Sequence, residues 1–264
     1  MPITRGTVRR AWALDAPTMT VDKSILVTGT GGVNVTIPTP AFLIEHDEGL
    51  VLFDTGLDPA AADDPESVYG PLATMFQMDF PAERRLDRQL DALGFRPSDV
   101  RRVVLSHSHF DHTGGLRLFP GAEGFVGTGE LRYAARPDAS VAGFYRGADL
   151  EAAAEIRWNE LPRGYDHDLF DDGSVTLLSL PGHTPGALGL KVALPSRTIV
   201  FAGDTAHLRE NLAGKVGMPF DADTGTKLDS IHKLQLLRSQ PNTTVWISHD
   251  PEDWSEGGQL KELT

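Results

Sequence analysis

The sequence predicts an α+β domain in which short buried strands are interspersed with helices. Four short apolar runs, Arg101-Arg102-Val103-Val104-Leu105, Val175-Thr176-Leu177-Leu178-Ser179-Leu180, Thr198-Ile199-Val200-Phe201 and Thr243-Thr244-Val245-Trp246-Ile247, read as buried strands that each end near a His or Asp. Two stretches of helical periodicity, residues 83–93 and 224–239, alternate with them. A length of 264 residues, 40% hydrophobic and 23% charged, suits one folded unit with a sizeable core, taken as residues 1–264.

Along the chain, residues 7–14 read as an opening strand. Residues 18–39 read as β-branched strands around a flexible loop at Gly29-Thr30-Gly31-Gly32. Residues 41–53 form a hairpin whose turn is His46-Asp47-Glu48-Gly49, with His46 a turn residue. The hairpin ends at Asp54-Thr55-Gly56. Residues 58–65, rich in Asp, Ala and Pro, read as a solvated loop. Residues 72–80 carry Met75, Phe76 and Phe80 without a clear period, so they form either a satellite core or a wall over an apolar substrate. Residues 83–93 form a helix on Leu86, Leu90 and Leu93, stopped by Gly94.

The strand at 101–105 runs into Ser106-His107-Ser108-His109-Phe110-Asp111-His112-Thr113-Gly114-Gly115. Imidazole and carboxylate are ligands for a borderline cation such as zinc. His107 and His109 lie two apart and can share one side of an extended segment. Asp111 and His112 follow the turn and can face a second ion. Each ion then still needs ligands from downstream.

Residues 122–127 read as a strand and 129–136 as a helix stopped by Pro137. Residues 138–163 read as polar and mobile. They carry Phe144, Tyr145 and Trp158, a second candidate wall for substrate. Asp166-His167-Asp168 lies in an acidic turn and reads as surface. Strands follow at 175–180, 187–194 and 198–201, then the helix at 224–239, which carries His232 as a packed or surface side chain, and a last strand at 243–248. The missing ligand types stand at their ends: His183 in Pro181-Gly182-His183-Thr184-Pro185-Gly186, Asp204 after Gly203, and His249 after Ser248. One His at a strand end is usually a cap; the recurrence, with no Cys to compete, points to metal.

These motifs, with Asp54-Thr55-Gly56, resemble the metallo-β-lactamase superfamily from about residue 41 to 251. The resemblance implies an αββα sandwich, two mixed β-sheets face to face with helices outside. It implies two divalent metal ions, zinc first, with manganese, iron or cobalt as alternatives. His107, His109 and His183 would hold one ion, Asp111, His112 and His249 the other, and Asp204 would bridge them. Asp54 would be a buried hydrogen-bonding support. Within the superfamily the chain is most similar to the N-acyl homoserine lactonases and 4-pyridoxolactonases, which implies hydrolysis of a small lactone and a role in quorum quenching. Those lactonases typically carry Tyr three residues after the bridging Asp, where this chain has His207. His207 would donate to the substrate carbonyl, and Asp111 would protonate the leaving oxygen. A glyoxalase II-like thioesterase, a hydrolase of another ester or lactone, a mononuclear iron oxygenase and a non-catalytic binding protein are the alternatives.

The net charge of −13 opposes nucleic acid and anionic membrane as partners. The absence of Cys removes disulfides and thiolate ligands. No apolar run reaches signal-peptide or transmembrane length, so a cytoplasmic enzyme is expected, as a monomer or homodimer. Only fifteen residues follow His249, which leaves no room for a helical C-terminal domain of the glyoxalase II kind.

Overall fold

The computed structural model describes residues 7–257 and 260–263. A seven-stranded sheet has the spatial order Lys261–Leu263, Val8–Ala13, Phe42–His46, Gly49–Phe53, Val100–Val104, Glu123–Gly127, Arg157–Leu161. A five-stranded sheet has the order His167–Asp168, Val175–Ser179, Leu188–Ala193, Thr198–Phe201, Thr243–Trp246. The two face each other across one apolar layer, in which Phe42, Phe53, Val104 and Phe125 meet Leu177, Leu190, Phe201 and Trp246. The outer face of the large sheet packs on Leu86 and Leu90 of helix Leu86–Ala92 and on Ala153 of helix Gly147–Ala153. The outer face of the smaller sheet packs on Leu212, Ile231 and Leu234 of helices Arg209–Gly214 and Thr224–Arg238. The result is the αββα sandwich. Both faces of each sheet are covered, so the central strands are apolar on both sides rather than alternating.

Strand direction positions the site. Gly49–Phe53, Val100–Val104 and Glu123–Gly127 run parallel, with Phe53 opposite Val104 and Val104 opposite Phe125. Thr198–Phe201 and Thr243–Trp246 also run parallel, with Phe201 opposite Trp246. Parallel strands end on a common rim, so the segments after Phe53, Val104, Phe201 and Trp246 all emerge together. The backbone N–H of Leu188 donates to Ser106 O at 2.8 Å and ties the two sheets at that rim. A three-stranded sheet, Asn34–Pro38, Thr18–Asp22 and Met78–Asp79, covers the rim from one side.

Several segments differ from the sequence reading. Residues 58–65 are only partly solvated. Asp58 caps the 3₁₀ turn Pro59–Ala62 and is buried because Arg117, at 2.7 Å, and Arg146, at 3.4 Å, balance its charge. Residues 138–163 form the turn Ala142–Phe144, the helix Gly147–Ala153 and the strand Arg157–Leu161. Ala153, Ile156 and Trp158 supply the apolar anchors that the segment's polar composition conceals. His46 is the buried end of its strand: it stacks on Phe170 at 3.7 Å and its Nε2 lies 3.0 Å from Asp172 Oδ2. The last strand is Lys261–Leu263, which adds to the edge of the large sheet beside Val8–Ala13. His232 and His167 are on the surface. No helix among the described residues is long and apolar enough to cross a membrane.

Candidate metal centre

His107 follows the strand Val100–Val104 by a short extended segment, and the chain then turns into the single helical turn Phe110–Thr113. That turn places Asp111 and His112 in a second group beside the first, with the His112 ring 4.2 Å from that of His107. His183 arrives on the loop after Val175–Ser179, Asp204 on the turn after Thr198–Phe201, and His249 on the segment after Thr243–Trp246. The structure brings all seven side chains together and buries them. They form two adjoining groups, each able to hold a metal ion: His107, His109, His183 and Asp204, and Asp111, His112 and His249.

The Asp204 carboxylate faces both groups. Its Oδ2 lies 3.6 Å from His107 Nε2 and 3.5 Å from His183 Nε2. Its Oδ1 lies 3.4 Å from His112 Nε2 and 3.1 Å from His249 Nε2. Asp111 Oδ2 lies 3.5 Å from His112 Nε2 and 3.6 Å from His249 Nε2. Across the first group His183 Nε2 stands 3.1 Å from His109 Nδ1.

Burial pushes the His107 and His183 imidazoles well below their ordinary pKa and His109 down to about 4. Burial opposes charging of His112 too, but Asp204, Asp111 and Asp54 outweigh it and hold His112 well above its usual range. His249 is raised for the same reason, against its burial, by Asp204 and then Asp111. Asp204 resists its own burial through His249, His112, His207 and His107 and sits well below the ordinary carboxylate range.

Three polar atoms at this point, His107 Nε2, His112 Nε2 and Asp204 Oδ1, are buried without a hydrogen bond. Such atoms each cost about 1–3 kcal/mol unless something satisfies them. Nitrogen and carboxylate oxygen that converge on a common space in this way fit a pair of divalent cations.

Outer partners orient the ligands. Asp54, at a left-handed φ of 59°, accepts from Ser106 N at 2.6 Å and stands 2.9 Å from His112 Nδ1. His249 Nδ1 lies 2.7 Å from Pro38 O, an acceptor, so the proton is on Nδ1 and Nε2 faces the site. Buried Glu130 accepts from Ser108 N at 2.8 Å, Thr184 Oγ1 at 2.6 Å and Gly186 N at 3.1 Å. It thereby locks the His107–His109 segment to the His183 loop. Sequence reasoning missed Glu130, because a Glu in the first turn of a helix looks like any dipole-favoured surface residue.

The centre opens on a narrow cleft of about 40 Å³. Met19, Ile25, Leu26, Ile37, Phe76, Phe110, Phe144 and Met218 make its apolar wall, and His207 stands at its base beside the two groups. Of the expected wall residues, Phe76 and Phe144 line the cleft. Met75 does not: the adjacent side chains diverge at the end of helix Pro71–Met75, leaving Met75 54% exposed. Phe80 packs instead into the satellite core with Met19, Tyr69 and Ala73. Tyr145 stacks edge-on against His109 at 4.8 Å, behind the cleft rather than in its lining.

Residues 35–249 match the Metallo-beta-lactamase superfamily. A protein of Rhizobium radiobacter named N-acyl homoserine lactonase AttM is 34% identical over 235 residues, covering 88% of this chain and 89% of its own. The N-acyl homoserine lactonase of Bacillus cereus is 27% identical over 250 residues, covering 93% and 95%. A solved N-acyl homoserine lactone hydrolase, with the product N-hexanoyl-L-homoserine bound at its catalytic metal centre, superposes with a TM-score of 0.81 at 25% identity, covering 95% of this chain and 96% of that one. With that match over most of its length, an αββα sandwich, and His and Asp side chains gathered where its parallel strands end, the chain belongs to the metallo-β-lactamase superfamily.

Proposed function

We propose that this protein is a dinuclear metal-dependent hydrolase that opens the ring of N-acyl homoserine lactones, and so quenches signals of that kind. The observation that carries the reading is the Asp204 carboxylate, with one oxygen toward His107 and His183 and the other toward His112 and His249. A carboxylate shared in this way suits two ions rather than one. The relatives named N-acyl homoserine lactonase supply the substrate class.

In this reading His107, His109 and His183 would hold one ion and Asp111, His112 and His249 the other, with Asp204 shared between them. Zinc is the first candidate; manganese, iron and cobalt also suit imidazole and carboxylate. When bound, such a pair supplies a nucleophile from water near neutral pH and polarises the carbonyl under attack. The protein's side chains do the rest. His207 donates a hydrogen bond to the carbonyl oxygen as it gains charge. Asp111 takes up, on the carboxylate oxygen not used as a ligand, the proton released as water adds to the carbonyl, and passes it to the ring oxygen that leaves. Phe76, Phe144, Met19, Ile37 and Met218 bury the acyl chain and exclude bulk water from the reacting carbonyl.

The test is pH-indicator hydrolysis of hexanoyl- and dodecanoyl-homoserine lactones beside a simple γ-lactone and a phosphodiester, with metal content read on the same sample. Fast opening of the acyl lactones with about two metals per chain supports the reading. Opening of the γ-lactone alone would move the substrate class. One iron per chain with oxygen uptake would sink the hydrolase.

A further inference from the structure

Behind His183 stands a buried charge pair that no sequence motif announces. Asp221 Oδ1 lies 3.1 Å from His183 Nδ1 and accepts from Lys227 Nζ at 2.9 Å. Lys227 Nζ also donates to the backbone oxygen of Asp204 at 2.5 Å. Both side chains are 0% exposed. Two charges withdrawn from water are costly, and a buried pair of this kind is a weak source of stability. Its position suggests another use, because it touches two residues of the candidate centre at once.

The backbone agrees. Residues 217–227 clasp the His183 loop: Ala222 N donates to His183 O at 3.1 Å and Asp223 N to Gly182 O at 3.0 Å. Gly182 has a φ of 134°, and a Cβ there would overlap the Lys227 backbone. Asp221 Oδ2 accepts from Met218 N at 2.8 Å, so the same carboxylate fixes one point on the cleft wall.

A carboxylate can only accept from imidazole. His183 therefore carries its proton on Nδ1, and the Nε2 lone pair faces His109 and Asp204. Lys227 balances the carboxylate, so the pair is neutral as a whole, and it pins the Asp204 turn to the same bracket. We propose that Asp221 and Lys227 are a positioning pair that holds His183 and Asp204 in register for the ion of the His107 group. The inference rests on the reading of that group as metal-holding.

The experiment strips the purified full-length protein of metal and titrates it with zinc against a chromophoric chelator. Asp221→Asn and the double variant Asp221→Asn/Lys227→Met are compared with the unaltered chain, and cobalt absorption spectra are taken of each. The double variant keeps the test open if Asp221→Asn alone, with Lys227 left unpaired, fails to fold. The unaltered chain is expected to take up two zincs. The variants should bind one of the two roughly 10–100-fold more weakly, with a changed cobalt spectrum, as expected for loss of a ligand's outer partner. Variants that bind two zincs with unchanged affinity and spectrum would overturn the positioning role while leaving the metal reading intact. An unaltered chain that takes up fewer than two would overturn both.

Discussion

His207 Nε2 lies 3.1 Å from Asp204 Oδ2, and His207 Nδ1 is buried with no hydrogen-bond partner. A carboxylate accepts only, so this contact places the proton on Nε2, the nitrogen that faces the centre. Burial keeps the ring neutral by lowering its pKa. The backbone around it is fixed, since the N–H groups of His207 and Leu208 both donate to Asn211 Oδ1, at 3.2 and 2.8 Å. The Nε2–H is thus held beside the centre against Asp204, and the proposed mechanism requires it to turn from Asp204 to the substrate carbonyl. His207→Phe is expected to lower kcat/KM for the best lactone by roughly 10²–10³-fold, the usual cost of losing one such donor, without loss of metal. His207→Tyr, which restores the residue typical of the lactonases this chain resembles, should stay within about tenfold of the unaltered rate. Steady-state kinetics with metal analysis decides. Unchanged turnover in the Phe variant would remove His207 from the chemistry.

Asp54 serves the fold and the centre through different oxygens. Oδ1 takes Ser106 N and Oδ2 faces His112 Nδ1. Asn tolerates the left-handed backbone and keeps one acceptor, so Asp54→Asn should retain most of the stability. Its amide N–H₂ cannot accept from His112, so zinc affinity should fall roughly 10–100-fold. Asp54→Ala loses both bonds and strains the backbone, and should cost about 3 kcal/mol or more. Thermal unfolding and zinc titration of the two variants separate these roles. Equal zinc affinity in Asp54→Asn would show that the His112 contact does not tune the ligand.

These variants mark the boundary of what the sequence discloses. The convergence of His107, His109, Asp111, His112, His183, Asp204 and His249 was legible because each stands just past an apolar run, and parallel strands end on one rim. Asp54 was legible as a support only through the resemblance to the superfamily, which places that residue close to the ligands. Asp221 and Lys227 were not: their partners lie 38 and 23 residues away, and only the packed fold shows that their side chains never meet water. Composition also misled at residues 138–163, where a few apolar anchors suffice to build a helix and an edge strand. At Met75 and Phe76 the sequence offered two adjacent apolar side chains, and only the course of a short helix decides which one faces inward.

That choice is testable. Phe144 lines the cleft, packs edge-on against Phe76 at 6.2 Å and is half-buried, so its removal costs the core little. Phe144→Ala should raise KM for dodecanoyl-homoserine lactone by roughly tenfold, the worth of one apolar contact of about 1–3 kcal/mol, and change the hexanoyl substrate less. Met75→Ala should leave both values unchanged, since the side chain faces solvent. A Met75 effect as large as that of Phe144 would mean that the cleft extends to the other face of the helix.

The last prediction concerns the protein stripped of metal. Burial holds His109 at about 4 and His107 and His183 well below their ordinary range, whereas the unfolded chain titrates near 6.5. Between about pH 6.5 and 4 the unfolded state therefore binds more protons, and stability falls as pH falls. His109 alone accounts for about 3 kcal/mol over that window. His112 and His249 act with the opposite sign. Their folded pKa values are raised, so their contribution is complete below about 6.5 and is lost as pH rises through the folded values. The two sets act on opposite sides of the same unfolded pKa. The metal-free protein should accordingly melt highest near pH 6.5 and lower on either side. Zinc replaces the protons on His112 and His249, so the loaded protein should lose the alkaline decline and keep a steeper acid one, because every ligand must be deprotonated to bind. Melting curves from pH 4.5 to 9, with and without zinc, test this. A metal-free maximum well above pH 7.5 would mean that His112 and His249 do not hold their protons above the ordinary range, and one well below pH 6 that the acid-sensitive imidazoles are more exposed than their packing indicates.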